Sequence, residues 1–268
     1  MFDEQSLRDR LCPTTEGVRE EICRLERLVA HRYYLKRLYR IIGLHRRSAS
    51  SARTKYDSIA GQYRQIEAAM SDDDKALAFV DDTPCFVRRA AFRDYHRHYL
   101  ARAVAETGAD SLLEVGAGEL NTLLPVAEAL NGKLREVIAL DISAARLEAG
   151  KPYDTQGLVT QYIAASASDI PLPDKAVDVI LTSHCLEQSP ELVEPALREF
   201  SRVAKRGIVL AEPAYELAHP LQKKRIRKIG YARGIVAAAK RLGLNVTRHE
   251  LVPVREYLNG SALTVITL

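Results

Sequence analysis

Apolar positions in the first hundred residues recur mostly at intervals of three or four. Val18, Ile22, Leu25, Val29, Leu35, Leu38 and Ile42 make such a series, which predicts a helix over residues 16–44. Gly43 stands where that helix would stop. The polar stretch 46–53 reads as a loop or hinge. Residues 56–70 return to helical spacing, and Ser71, Asp72, Asp73 and Asp74 have the composition of an N-cap for another helix. Residues 86–107 read as a further helix, ending near Gly108.

From Ser111 the rhythm changes. Short apolar runs at 111–115, 136–140, 159–164, 177–182 and 207–212 alternate with helical patterns. Nearly continuous apolar strands joined by helices predict a parallel sheet covered on both faces. The last two runs, 244–251 and 262–268, have only a loop between them. A short loop permits antiparallel pairing but no parallel crossover. The break in rhythm divides the chain into a helical appendage or lid, 1–105, and a ligand-binding domain, 106–268.

Composition excludes several classes. With 268 residues, 47% hydrophobic and 28% charged, the chain has the make-up of a soluble globular protein. No apolar run approaches the ~20 residues of a membrane helix, and the N-terminus lacks the pattern of a secretory signal. The four cysteines form no CxxC pair, which disfavours a zinc knuckle or disulfide scaffold and fits a reducing cytoplasm. Residues 1–55 carry 13 Lys and Arg against 7 Asp and Glu, leaving 26 against 28 elsewhere. The net charge of +4 is therefore an N-terminal property. A solvated helix face and a grip on an anionic partner are equal readings of it.

The sharpest chemical signal follows the first predicted strand. Leu112-Leu-Glu114-Val-Gly116-Ala117-Gly118-Glu-Leu120-Asn121 is a strand running into a glycine-bearing turn and then a helix. Glycines at such a turn let the backbone approach a ligand. A dinucleotide fingerprint would need glycine at position 121, and Glu114 would repel a pyrophosphate. A carboxylate there suits a ligand with an amino group, and S-adenosylmethionine (SAM) carries an ammonium and a sulfonium. Asp141 ends the second strand, 23 positions after Gly118, where a carboxylate accepts both ribose hydroxyls. Its other reading is a helix N-cap.

With these residues in place the sequence resembles a class I SAM-dependent methyltransferase over residues 95–268. Glu114-Val-Gly116-Ala117-Gly118 resembles the family's first motif, E/D-x-G-x-G-x-G, with Leu120 in place of the last glycine. Asp141-Ile142-Ser143 resembles the ribose-binding motif. The run from Ala165 to Asp174 resembles the family's D-A-x-x-L-P-F-P-D segment, with Ser166 where the family has an adenine-contacting Asp, and Ala167 offering its backbone N–H. The resemblance implies a Rossmann-like α/β fold: a seven-stranded, mostly parallel sheet with a C-terminal antiparallel hairpin. It also implies SAM as cofactor, bound by Glu114, Gly116, Ala117, Gly118, Asp141, Ile142, Ser166, Ala167 and His184. The tail, including Glu212-Pro-Ala-Tyr215, His219-Pro and Asn259-Gly-Ser261, loosely resembles methyltransferase-domain proteins of bacterial surface-sugar clusters, which implies a saccharide hydroxyl as acceptor.

Methyl transfer to a hydroxyl needs a base or a metal, whereas an amine need only be neutral. His184 and Glu187 follow the fourth strand of the parallel sheet, at the edge where ligands of such folds sit. His184 is the leading base, with Glu187 beside it and Glu212 as a second acidic or basic partner. Tyr215 and His219 are the expected acceptor contacts. Mg2+ is an alternative route to activation, with Glu212 as a carboxylate ligand. The expected function is O-methylation of a small-molecule or saccharide hydroxyl. Two alternatives stand beside it. One is an RNA methyltransferase using the basic N-terminal region, disfavoured because no RNA-binding module is recognisable. The other is a non-catalytic SAM-binding protein. Residues 1–105 would cover the acceptor pocket or make a homodimer interface.

Overall fold

The structure, a computed structural model, describes residues 3–41, 49–71, 73–130 and 132–268. Gly43 and the start of the polar stretch, residues 46–48, lie outside the described residues. The N-terminal elements are α1 (Glu4–Asp9), α2 (Val18–Ile41), α3 (Ala49–Asp57) and α4 (Gln62–Ala68). Next come β1 (Lys75–Val80), β2 (Thr83–Arg88) and α5 (Arg89–Glu106). The alternating region comprises β3 (Ser111–Val115), α6 (Leu123–Ala129), β4 (Glu136–Asp141), α7 (Ala144–Gly150), β5 (Gln161–Ala164), β6 (Val177–Ser183), α8 (Val193–Val203) and β7 (Ala204–Glu212). It is followed by α9 (Pro220–Ile229), α10 (Ile235–Arg241), β8 (Asn245–Leu251), β9 (Val254–Glu256) and β10 (Ala262–Thr267). Among the described residues no helix is long and apolar enough to cross a membrane.

The large sheet has seven strands in the order β5-β4-β3-β6-β7-β10-β8. The first five pair in parallel, and β10 runs antiparallel to both β7 and β8. Both faces are dry, as a parallel sheet requires. Leu112, Val179, Leu181 and Val209 point into the cluster that includes residues of α5 and α6. Leu113, Val115, Ile180 and Ile208 point into the cluster with α8 and α10. In α8 the apolar positions Val193, Ala196, Leu197, Phe200 and Val203 recur at helical spacing, and all are buried. Chain order reverses between β3 and β6, and this opens a crevice at the carboxyl edge of the sheet.

Two predicted helical segments contain strands instead. Of the expected N-cap, Asp72 lies outside the described residues; the chain enters β1 at Lys75, not a helix, and α5 begins at Arg89 because residues 83–88 form β2. The β1–β2 hairpin turns on Asp81 and Asp82, both at positive φ (46° and 69°), the conformation a two-residue type I′ loop demands. Arg8 holds Asp81 at 2.5 Å, and Arg255 pairs with Asp82. The connection between β8 and β10 is also more than a loop. It leaves the large sheet, pairs β9 with β1 in a small sheet of order β2-β1-β9, and returns. That excursion carries Glu256, Asn259 and Ser261 to the crevice.

One apolar cluster spans both halves of the chain. Leu7, Leu11, Val87 and Tyr95 pack in it with Leu112, Leu181 and Leu263. Leu11 is 1% exposed, and its carbonyl accepts from Arg88 N at 3.0 Å. Leu11→Ala should lower the unfolding free energy by about 2–5 kcal/mol. Chemical denaturation should show this in one cooperative transition. Two separated transitions, with only one shifted, would mean that the N-terminal residues fold as an independent unit.

Candidate functional site

The crevice is a cavity of about 570 Å3, a size ordinary for small-molecule sites. Its floor is the turn after β3. Gly116 has φ of 81°, and a Cβ there would lie 2.6 Å from Cys185 Sγ and 2.7 Å from its Cβ. The turn therefore interlocks with the loop after β6. Leu120, where the family pattern has glycine, keeps a left-handed φ of 63° with its side chain fully buried. Such a conformation costs a non-glycine residue about 1–2 kcal/mol. The side chain fits because position 150 is glycine: a Cβ at Gly150 would sit 2.8 Å from Leu120 Cγ.

Two carboxylates end adjacent strands at the cavity. Asp141 accepts from Gly118 N and from Ser143 N, one to each oxygen, both at 2.8 Å. It does not cap α7; Ser143 does, accepting from Arg146 N. Each Asp141 oxygen keeps a lone pair for a ligand hydroxyl. Glu114 is 1% exposed, and its Oε2 has no hydrogen-bond partner. Burial first, and then the Asp141 charge, push Glu114 up to about 8. A buried carboxylate oxygen without a partner at the mouth of the glycine turn fits a ligand ammonium. Ala117, Ile142, Ser166 and Ala167 line the same cavity. Ser166 Oγ lies 2.9 Å from Ser168 Oγ.

His184 lies in the loop after β6, at a positive φ of 55°. Its Nδ1 is 2.8 Å from Glu187 Oε2, and its Nε2 is 2.8 Å from Ser261 Oγ. Asn259 Nδ2 approaches Nδ1 at 3.2 Å. Burial opposes its charge, but Glu187, Glu212 and Glu256 outweigh that and raise His184 to about 9. At neutral pH it is an imidazolium paired with Glu187. Cys185 remains a thiol, since burial and then nearby carboxylates push it up further.

Glu212 is placed differently from the expectation. Its carboxylate accepts from Thr182 Oγ1 (2.9 Å) and from the successive backbone N–H groups of Cys185, Leu186 and Glu187 (2.9, 3.1 and 3.2 Å). It holds the loop that presents His184 and is not among the residues lining the cavity. Tyr215 and His219 also stand away from it. Tyr215 lies under Lys223 and Arg233. His219 Nε2 meets Tyr257 O at 2.6 Å, with its ring packed against both Phe79 and Tyr257, which stack on each other. After β7 the chain turns away from the cavity, and His219 reaches the small sheet at Phe79. Among the described residues no group of three or more His, Cys, Asp or Glu could hold a metal ion, so the Mg2+ alternative finds no ligand set there.

The roof comes from α3 and α4. Tyr56 and Tyr63 line the cavity, and the Arg146 guanidinium lies over both rings. Arg53 donates to Ile142 O at 3.1 Å, and Ser143 Oγ donates to Asp57. Glu119 accepts from Arg64 N at 2.9 Å. Beneath α5 the cavity continues into an inner chamber of about 170 Å3, and the residues that line both include Arg93, Asn121, His184, Glu256 and Asn259. Arg93, His96 and Arg97 face this chamber. Their spacing alone suits an exposed helix face equally well. Asn259 and Ser261 carried no separate role in the sequence. Only the Asn-Gly-Ser string marked them.

Residues 113–211 match the family model described as a methyltransferase domain. Ajmaline N-methyltransferase of Rauvolfia serpentina is 30% identical over 132 residues, which cover 45% of this chain and 44% of that protein. The chain thus spans less than half the length of that relative. Among solved structures, the [4+2]-cyclase SpnF superposes with a TM-score of 0.59 at 15% identity, covering 82% of this chain and 96% of that one. Magnesium protoporphyrin IX methyltransferase of Synechocystis PCC 6803, with bound SAH, gives 0.56 at 12% identity, covering 82% and 99%. Residues 113–211 thus match a methyltransferase domain, and the chain has the Rossmann-like fold of solved methyltransferases.

Proposed function

We propose that the chain transfers a methyl group from SAM to an oxygen of a small-molecule acceptor, a saccharide hydroxyl being one such group. The observation that carries the cofactor reading is the unpartnered Oε2 of Glu114, buried beside Asp141 at the glycine turn. When bound, SAM supplies a methyl group on a sulfonium, which an acceptor lone pair displaces in line. Glu114 would hold the ammonium and Asp141 the ribose hydroxyls, with Ser166 and Ala167 at the adenine end. Tyr56 and Tyr63 would exclude water from the reacting centre.

His184 is the base in this reading. It must first lose the proton it shares with Glu187, so the rate on a hydroxyl acceptor rises with pH. The similarity to ajmaline N-methyltransferase supports a second reading, transfer to an amine. Glu256, which lines the inner chamber, suits an amine-bearing acceptor. An amine needs no base, and its rate would follow its own titration instead of that of His184.

Two measurements test these assignments. Glu114→Gln should weaken SAM binding about 10–100-fold, the loss of a hydrogen bond between charged groups. The sign of the pH effect follows from Glu114. The unfolded chain releases this proton near 4.5 and the folded chain near 8, so burial of Glu114 lowers stability as pH rises between those values. An ammonium beside it favours the carboxylate, so SAM affinity should increase over the same range, with a proton released. Calorimetry showing no pH dependence, or no loss in Glu114→Gln, removes Glu114 from the site. For the base, His184→Ala should lower turnover about 10²–10⁴-fold with SAM affinity retained. Glu187→Gln should move the inflection of the rate–pH profile down from about 9 toward 6.5. An inflection that stays in place in that variant would exclude His184 as the group that titrates.

A further inference from the structure

The inner chamber has an unbalanced charge. Arg93 and Arg97 sit four residues apart on α5, so they share one face with His96 between them. Their side chains are only 23% and 12% exposed. Both turn to one carboxylate, Glu67 of α4: Arg93 Nη2 lies 3.0 Å from it and Arg97 Nη2 2.5 Å. Arg64 is a third claimant at 3.6 Å, and Asn121 Nδ2 donates to the same Oε2. The next acid, Asp94, is 3.9 Å from Arg97 Nη1 and 40% exposed. Three guanidiniums thus share one half-buried carboxylate. Arg93 Nη1 also meets Met70 Sδ, at 3.6 Å.

A charge held out of water without a partner is costly, and a guanidinium has five donors to satisfy. The chamber also holds a buried polar atom with no hydrogen-bond partner, Nε2 of His96. Its imidazole is kept neutral, since burial and then the nearby charges of His184 and Arg97 lower it to about 3. With its proton on Nε2, the neutral His96 imidazole joins the two guanidinium forks that line this space of about 170 Å3 as a donor to an oxyanion. Phe92 lines the same space and offers an apolar surface. Of the other charged groups on its wall, Arg255 is paired with Asp82 and His184 with Glu187, which leaves Glu256 against the guanidiniums, so the chamber balances a single negative charge better than a dianion.

We propose that the inner chamber is the acceptor subsite and that it selects an acceptor bearing a carboxylate, bound by Arg93 and Arg97 with a hydrogen bond from His96. This rests on the methyltransferase reading for its purpose, though not for the binding itself. Anchoring the carboxylate beneath α5 leaves the rest of the acceptor to reach the main cavity past His184 and Asn259, which line both spaces. The shared carboxylate Glu67 lies on the roof helix, so the anion would also relieve the crowding of positive charge under α4.

The test uses the full chain and the pair benzoate and benzamide, alike in shape and different in charge, by calorimetric titration with and without S-adenosylhomocysteine. Benzoate should bind at least 10-fold more tightly than benzamide. Arg93→Gln should reduce benzoate affinity at least 10-fold with S-adenosylhomocysteine affinity unchanged, and Arg93→Lys should recover part of it. Equal binding of the two probes, no benzoate binding at millimolar concentration, or an Arg93→Gln variant that keeps its benzoate affinity would each overturn the proposal. Should Arg93→Gln fail to fold, His96→Ala takes its place with the same expectation. Inorganic phosphate binding more tightly than benzoate would overturn the choice of a carboxylate. Failure of the methyltransferase reading shows separately, as absence of S-adenosylhomocysteine binding while benzoate still binds.

Discussion

Four hydrogen bonds converge on the carboxylate of Glu212, and the rest of the site is arranged around them. Three come from consecutive backbone N–H groups, 185–187. Such a row of amides forms a concave anion site, and here a side chain of the protein's own fills it. The constraint fixes the loop after β6, sets His184 in its left-handed conformation and presses Cys185 against the glycine turn. Gly116 must then lack a side chain, because Cys185 occupies its space. A residue that never reaches the cavity thereby determines the shape of the turn that a cofactor would meet.

A second pair of acids joins the N-terminal helices to this frame. Glu119, beside the glycine turn, receives the backbone of Arg64, and Glu67 gathers the guanidiniums of α5. The helix that carries Tyr63 of the roof thus also carries the carboxylate that holds Arg93 and Arg97, so α4 ties the roof over the main cavity to the wall of the inner chamber. Covering one ligand and shaping the space for the other are a single structural event.

Much of the large sheet was legible in the sequence, because a strand buried on both faces advertises itself as an apolar run bounded by turn residues. The 111–115 run coincides with β3, and β4 and β6 extend their runs by one residue each. The hairpin at 75–88 was not legible as such, since its strands are held by Leu11 and Thr14 on one side and β9 on the other, both remote in sequence. Local spacing there resembled a helix. Within the site, Glu114 and Asp141 could be read because strand-end carboxylates at that remove answer to a known geometry. His184 and Glu187 came from position in the loop after β6. The same positional logic, applied after β7, expected Tyr215 and His219 at the cavity, from which the chain instead turns away. Arg93, His96 and Arg97 could be read from the sequence as the lining of a lid or as an exposed helix face, because helical spacing fits both. Only the placement of α4 opposite them turns a charged stripe into a chamber wall.

Leu120 and Gly150 have a consequence for how this sequence can change. The leucine bends the backbone where glycine is the easier residue, and fills a space that exists because position 150 has no side chain. Replacing Leu120 with glycine alone would relax the turn and leave a void against α7. Replacing Gly150 with alanine alone would drive a methyl group into the leucine and into the backbone of Glu119, whose carbonyl carbon lies 2.8 Å from that Cβ position. Trimming Leu120 would clear only the first of these contacts, so position 150 must stay without a side chain whatever stands at 120. The two positions are therefore unequal: one can shrink at a cost in packing, and the other cannot grow.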